Sequence, residues 1–457
     1  MSDARVIRSR HVALPGGARP AAVRVRGGRI EAVLEFDHPE ARGGADLGEQ
    51  WLLPGLVDTH VHVNEPGRAD WEGFATATAA AAAGGVTTLV DMPLNAIPAT
   101  TTVAAFEAKC AAARGRCAVD VGFWGGLVPG DPRELERLAA AGVLGFKCFM
   151  VPSGVPEFRH VSDADLAAAA PVIARLGLPL LVHAEDERVL AGATANVTGH
   201  DRRAYATWLA SRPVVAESDA VRRLATLLDR WPLRLHVVHV ACREVVAWCR
   251  ARRDRGDALT LETCPHYLTF AAEEIADGAT ATKCAPPIRE RTQREALWHA
   301  LLASELDMVV SDHSPCPPAL KHGDTGDFFA AWGGIASLEL GLSAVWTGAR
   351  GRGATPADLA RWMSTAPARL AGLEREKGAI APGCDADLLA FDPGASWTVD
   401  PAHLHHRHPI TPYAGRTLAG RVTRTWLAGE VVWDGTQVIG RRGRLLAGGV
   451  EPRAPVG

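Results

Sequence analysis

Lysine is scarce in this sequence. Of the 49 basic residues only five are Lys, at positions 109, 147, 283, 321 and 377, against 44 Arg. The basic residues are balanced by 52 acidic ones, giving a net charge of −3 and no basic face dense enough to hold nucleic acid, so nucleic acid is not expected as a partner. The nine Cys contain no CxxC pair, and their odd number and scatter do not form a disulfide framework, which points to a reducing cytoplasm. No stretch supplies about 18 uninterrupted apolar residues, and the first twenty residues lack an apolar core followed by a cleavage site. Neither membrane insertion nor secretion is expected. Missing too is a GxGxxG or GxxxxGK[ST] string after the first long apolar run, which weakens a nucleotide-binding reading.

What is present is an α/β pattern framed by β-rich ends. Residues Val12 to Leu14, Ala21 to Val25 and Arg29 to Leu34 alternate as short antiparallel strands do, with turn residues between them. From Trp51 short apolar runs alternate with Ala-rich helical segments. Eight such runs fall at 52–62, 86–92, 119–128, 143–151, 179–183, 233–240, 258–263 and 307–311, each uniform in polarity as a strand buried on both faces should be. Eight β/α units in about 330 residues predict a (β/α)8 TIM-like barrel, with a doubly wound sheet as the alternative. The Ala run at 79–83, stopped by Gly84-Gly85, reads as a packed helix. Beyond Ala379 the short strands return, at 386–391, 421–427 and 431–433. The expected organisation is therefore one small β-sandwich domain built from residues 1–52 and 381–457, flanking a barrel over 53–380.

In such a barrel, functional groups sit at the C-terminal ends of the strands. The first run ends Asp58-Thr59-His60-Val61-His62, and residues two apart in a strand share a face. The fifth run ends in His183, the sixth carries His236 and His239, and the eighth ends Ser311-Asp312-His313. Imidazoles and a carboxylate arriving from several strand ends suit a zinc-like ion. His236 and His239 are three apart and cannot share a face; His239, nearer the strand end, is the expected ligand, and His236 is expected to face outward or to be structural. Lys147 lies in the apolar run Leu144-Gly145-Phe146-Lys147-Cys148-Phe149-Met150, where an isolated ammonium is costly and its pKa depressed. It is either a neutral or paired lysine, or an amine converted by carbon dioxide into a carbamate that bridges two cations.

These residues resemble the cyclic amidohydrolases of the metal-dependent amidohydrolase superfamily, the group of dihydroorotases, hydantoinases and allantoinases. The resemblance runs from Leu53-Pro54-Gly55-Leu56-Val57-Asp58 to Gly383-Cys384-Asp385-Ala386-Asp387-Leu388. It implies two divalent metal ions, zinc first with cobalt, manganese or iron also accommodated, held by His60, His62, carbamylated Lys147, His183, His239 and Asp312. It further implies a hydroxide shared between the ions, with Asp312 taking its proton and returning it to the leaving ring nitrogen.

Several strings are most similar to those of the allantoinase branch, among them Asp91-Met92-Pro93-Leu94-Asn95, Lys283-Cys284-Ala285-Pro286-Pro287, Ser311-Asp312-His313-Ser314-Pro315-Cys316 and Trp332-Gly333-Gly334. That likeness implies hydrolysis of the ring amide of allantoin to allantoate, a step of purine catabolism, with a hydantoinase, dihydropyrimidinase or dihydroorotase as the alternative. Dihydroorotases place an Arg two residues after HxH to clamp a carboxylate; Asn64 stands there. Hydantoinases carry a Tyr shortly after the strand-four Lys, and Met150-Val151-Pro152-Ser153-Gly154 has none. Asn64, Asn95, Ala285 and Cys316 are the expected substrate contacts, and Trp332 a shaping or anchoring residue of the neighbouring loop. His403, His405, His406 and His408 are expected in an exposed loop without a metal. A homotetramer is implied by the resemblance alone, and Lys283 is a basic residue for which the sequence offers no physical account.

Overall fold

The computed structural model describes residues 4–448; residues 1–3 and 449–457, at the outer ends of the two expected flanking segments, lie outside the described residues. The chain opens with the antiparallel strands Arg5–Leu14, Gly17–Arg26 and Arg29–Leu34. They meet the C-terminal strands Leu388–Thr398, Thr417–Leu427 and Glu430–Trp433 through Trp51–Pro54. This short strand pairs in parallel with His11-Val12 on one side and antiparallel with Leu388 to Phe391 on the other. Both ends of the chain thus join in one eight-stranded mixed sheet. Its apolar side chains, including Val12, Val23, Ile30, Leu52, Leu388 and Trp426, form a core of their own. Because Trp51–Pro54 belongs to this sheet and Leu56–Val61 does not, the changeover falls at Gly55, slightly later than the boundary read from the sequence.

The central part is a succession of parallel strands. Leu56–Val61 pairs with Val86–Asp91, and that strand with Asp120–Phe123. Beyond Trp124 the same run continues as Gly125-Gly126 and pairs with Phe146–Phe149. Pro179–His183, Arg234–Val237, Leu259–Thr263 and Met308–Val309 follow in parallel order. The last run also returns to the first, through a parallel bridge between Val61 and His313 and a hydrogen bond of 2.8 Å from the His62 N–H to the His313 carbonyl. These strands are buried almost throughout, which explains their uniform apolar character.

Helices separate the strands, as parallel connections require. Asp163–Leu176 shows how the local sequence sets one: Ser162 and Asp165 form a reciprocal capping box at its start, and Gly177 ends it with φ 67°. Its buried residues Leu166, Ala169, Ala170 and Ile173 recur at helical spacing and turn one face to the core. The alanine-rich helix Phe74–Ala83 stops at Gly84, where a Cβ would lie 2.8 Å from the Glu339 backbone. Among the described residues no helix is long and apolar enough to cross a membrane.

The two parts are tied by a buried ion cluster. Lys377 Nζ donates to Asp120 and Asp387 at 2.6 Å each and lies 2.9 Å from Asp385; Arg444 reaches Asp120 and Asp385 at 3.0 and 2.6 Å. Asp120 begins the third parallel strand, whereas Asp385 and Asp387 lead into the mixed sheet.

Candidate metal centre

The parallel strands deliver their C-terminal ends to one side, and the expected ligands arrive there together. His60 and His62 flank the end of Leu56–Val61, His183 closes its strand, His239 follows Val237 by two residues, and Asp312 lies three past Val309. Lys147 projects from Phe146–Phe149. A cavity of about 380 Å³ opens over this end, lined by His60, His62, His183, His239 and Asp312 and, farther along, by Trp208, Lys283, Ala285 and Trp332. That volume suits a small molecule.

Distances within the group show how its donor atoms converge. The His60 Nδ1–H is donated to Glu262, and its Nε2 faces Asp312 Oδ1 at 3.2 Å. His62 Nε2 stands 3.5 Å from the same oxygen. Burial would push the Asp312 carboxyl up, but His60 and His62 outweigh it and hold it near 2, so it is ionised at neutral pH. On the other side, His183 donates its Nε2–H to Glu185 at 2.7 Å and turns its bare Nδ1 to within 2.9 Å of His239 Nε2. A neutral His239 can donate its Nε2–H to His183 and a neutral His62 its Nε2–H to Asp312, so what marks the group as a donor set is convergence: ligand atoms of His60, His62 and Asp312 lie within 4.8 Å of one another in one buried place. Burial also pushes the pKa values of His62, His183 and His239 down, keeping the imidazoles neutral, the ligand form.

Lys147 completes the picture. It is fully buried, its Nζ has no hydrogen-bond partner, and it lies 4.8 Å from the centre of the Phe149 ring. Burial lowers its pKa to about 8, against the opposing pull of Glu262 and Asp312. A buried ammonium with no partner is an expensive residue to keep. The donor set of four imidazoles, a carboxylate and a buried amine therefore fits a divalent metal centre.

Positive backbone φ is concentrated at the same place. Seven described non-glycine residues have positive φ, and four of them are Asn64, Asn95, His239 and Asp312. Asn, Asp and His enter that region more readily than other side chains, and at His239 (φ 39°) and Asp312 (φ 45°) it turns the chain where a regular strand ending would not.

A family comparison fits this geometry. The amidohydrolase family matches residues 51–432. The chain belongs to the amidohydrolase family. Among its relatives within that family, an allantoinase from Streptomyces avermitilis is 50% identical over 98% of this chain and 99% of its own. An allantoinase from Arabidopsis thaliana is 43% identical, over 93% of this chain and 87% of that one. The amidohydrolase chain also superposes on the solved structure of an L-hydantoinase (dihydropyrimidinase) from Arthrobacter aurescens, with 30% identity, a TM-score of 0.91 and coverage of 97% and 99% of the two chains. A D-hydantoinase structure matches at 26% identity with a TM-score of 0.89, covering 98% and 99%.

Several residues lie elsewhere than the sequence suggested. Asn95 and Ala285 line the amidohydrolase cavity, but Asn64 and Cys316 do not. Asn64 donates its side-chain N–H to the Pro315 carbonyl at 3.3 Å, tying the loop after the first strand to the loop after the eighth, and Cys316, next in that loop, is buried. Of its two expected roles His236 has the structural one and does not face outward: it is fully buried, donating to Glu262 at 2.9 Å with its other nitrogen 2.8 Å from Thr260 Oγ1. Nor is 403–408 simply an exposed loop. His403 is open to solvent, but His406 is buried, edge-on to His313 with ring centroids 5.8 Å apart, and the Arg407 N–H donates to Glu72, which also accepts from His313.

Two carboxylates were missed in the sequence. Glu262 accepts from His60 and from His236; Glu185 accepts from His183 and pairs with Arg212. Burial works against ionisation of both, but for Glu185 the Arg212 charge and His183 prevail and hold the carboxyl near 2. For Glu262, His60 and His236 drive it lower still. The available signal was an acidic residue at or just past the end of a buried strand, in Leu259-Thr260-Leu261-Glu262-Thr263 and in Leu181-Val182-His183-Ala184-Glu185.

Proposed function

We propose that this amidohydrolase opens the hydantoin ring of allantoin, hydrolysing its ring amide to give allantoate in purine catabolism. One observation supports this most directly. His60, His62, His183, His239 and Asp312 line one end of a small-molecule cavity, and the buried, unpartnered Lys147 amine lies on the strand paired with the one that ends in His183. The chain around that cavity is 40–50% identical to allantoinases over almost its whole length.

The reading takes the eight parallel strands, from Leu56 on, and their helices as a closed (β/α)8 barrel, with the mixed sheet that joins Trp51–Pro54 to the N- and C-terminal strands folded as a small sandwich beside it. Two divalent ions, zinc first, with cobalt, manganese or iron as alternatives, would be held by His60, His62, Lys147, His183, His239 and Asp312. Lys147 does so as its carbamate: the neutral amine attacks carbon dioxide, an N–C bond forms and one proton leaves. Bound divalent ions supply water activated near neutral pH and polarisation of the scissile carbonyl.

The protein's own groups do the rest. Asp312 takes a proton from the attacking water and returns it to the departing ring nitrogen, one carboxylate acting as base and then as acid. Glu262 and Glu185 fix which nitrogen of His60 and His183 is free, and so aim both rings. The backbone beside Ala285, at the cavity wall, offers dipoles to the developing oxyanion. Asn95 contacts the amide edge of the ring. The enzyme works in the cytoplasm as a homotetramer.

The test is a comparison of turnover of allantoin, plain hydantoin and dihydroorotate by the metal-loaded protein. Allantoin is expected to have the highest kcat/KM; a preference for either of the others would overturn the assignment in favour of a hydantoinase or dihydroorotase.

A further inference from the structure

Lys283 is the basic residue that the metal centre does not explain. It lines the same cavity, is only 7% exposed, and has no carboxylate within ion-pair distance among the described residues. The contrast with Lys109, paired with Asp91, and Lys377, paired with three carboxylates, is plain. Lys283 Nζ donates to the Ala331 carbonyl and lies 4.5 Å from the centre of the Trp208 ring. An ammonium has three protons to give, and among the described residues no second acceptor takes either of the others.

Its surroundings define a second end to the cavity. The Lys283 carbonyl accepts from the Gly334 N–H at 2.8 Å, and the buried Lys321 ammonium donates to the carbonyls of Trp332 and Gly334. Two lysines thus hold the loop 331–334 against the cavity. Arg212 also lies near the Trp208 ring, at 5.4 Å, but its guanidinium is committed to Glu185. The charges acting most strongly on Lys283 after burial are Lys321 and Arg212, whereas those on Lys147 are Glu262 and Asp312. The two amines therefore belong to separate regions: one beside the reacting group, one beside whatever extends from it.

Resting on the allantoin reading, we propose that Lys283 is a specificity-determining residue whose unspent N–H groups bind the carbonyl oxygen of the substrate's exocyclic ureido group, packed against Trp208. Plain hydantoin has no atom to offer there. A neutral acceptor fits better than a carboxylate, because burial holds the Lys283 pKa to about 7: the group donates hydrogen bonds at neutral pH in both protonation states but carries only part of a charge. The one guanidinium nearby that could grip a carboxylate as a fork is already occupied.

The experiment compares the KM for allantoin with the Ki of plain hydantoin as a competitor, in the unmutated enzyme and in Lys283→Met and Lys283→Gln. Unmutated enzyme is expected to favour allantoin about tenfold, the upper end of what one ordinary hydrogen bond contributes. Lys283→Met should close that gap, and Lys283→Gln, which keeps an N–H donor, should fall between. Metal content and circular dichroism identify folded variants; if the Met variant does not fold, the Gln variant and the unmutated ratio decide. Equal weakening of both ligands, an unchanged ratio, or equal affinities in the unmutated enzyme would overturn the proposal. Absence of any allantoin turnover would instead sink the substrate reading, and this proposal with it.

Discussion

Glu262 holds His60 from behind: the carboxylate accepts the His60 Nδ1–H on one oxygen and the His236 Nε2–H, at 2.9 Å, on the other. This buried arrangement sets the His60 tautomer and leaves Nε2 toward Asp312. Glu262→Gln keeps the shape but can no longer accept from both rings with both oxygens. Metal affinity, measured by competition with a chelator, is expected to fall about 10–100-fold with little change in secondary structure. Unchanged affinity would mean that Glu262 serves only packing.

Lys147 separates the carbamate reading from that of a simple buried amine. Lys147→Met fits the apolar strand and removes an unpartnered polar atom, so the metal-free fold should survive or gain stability. Metal content should drop and turnover should be lost. Mass spectrometry of the intact, undenatured enzyme should show one added carbon dioxide per chain in the unmutated protein and none in the variant. Full metal occupancy without the adduct would remove the carbamate from the mechanism.

Asp312→Asn tests the proton transfer. The side chain retains its size and an oxygen facing His60 and His62 but cannot act as a base at neutral pH. A decrease in kcat of about 10²–10⁴-fold is expected, with KM changing far less. A loss confined to KM would assign Asp312 to substrate binding.

The seam between the two sheets offers a stability test away from the metal centre. Lys377→Met leaves Asp120, Asp385 and Asp387 buried together with only the half-exposed Arg444 to balance them. Removing one partner from a buried ion cluster costs about 3–5 kcal/mol. A clear fall in Tm is expected, with the metal content of the folded fraction unchanged.

The strand ends were legible because a strand alternates faces every two residues. His60 and His62 had to project together, and parallel strands had to present His183, His239 and Asp312 on the same side. Glu262 and Glu185 escaped because an acidic residue at a strand end reads equally as the solvated start of a loop; only the histidines packed behind them show otherwise. The 403–408 stretch was misjudged for another reason. Burial of His406 depends on Glu72 and His313, more than 90 residues away in sequence, and no local pattern encodes that return. The scarcity of Lys has a structural counterpart: all five lysines are buried, none more than 7% exposed, so the surface cations of this protein are carried by Arg.

That burial gives Lys283 a pH signature. Desolvation, reinforced by Lys321 and Arg212, lowers its pKa to about 7 from an ordinary value of 10.5. Below pH 7 both the folded and unfolded chains carry the charge, and the folded state bears the full cost of burying it. Between about 7 and 10.5 the unfolded chain binds more protons than the folded one, so this residue's contribution to stability rises with pH. Other groups, the buried thiols among them, titrate in the same range, but they cancel when the enzyme is compared with Lys283→Met. The stability of the unmutated protein relative to the variant should therefore improve by at least about 1 kcal/mol between pH 6 and pH 10, since one pKa unit corresponds to about 1.4 kcal/mol. Denaturant titrations at the two pH values measure it. A difference that is flat, or that shifts toward the variant as pH rises, would show that Lys283 keeps an ordinary pKa in the folded enzyme.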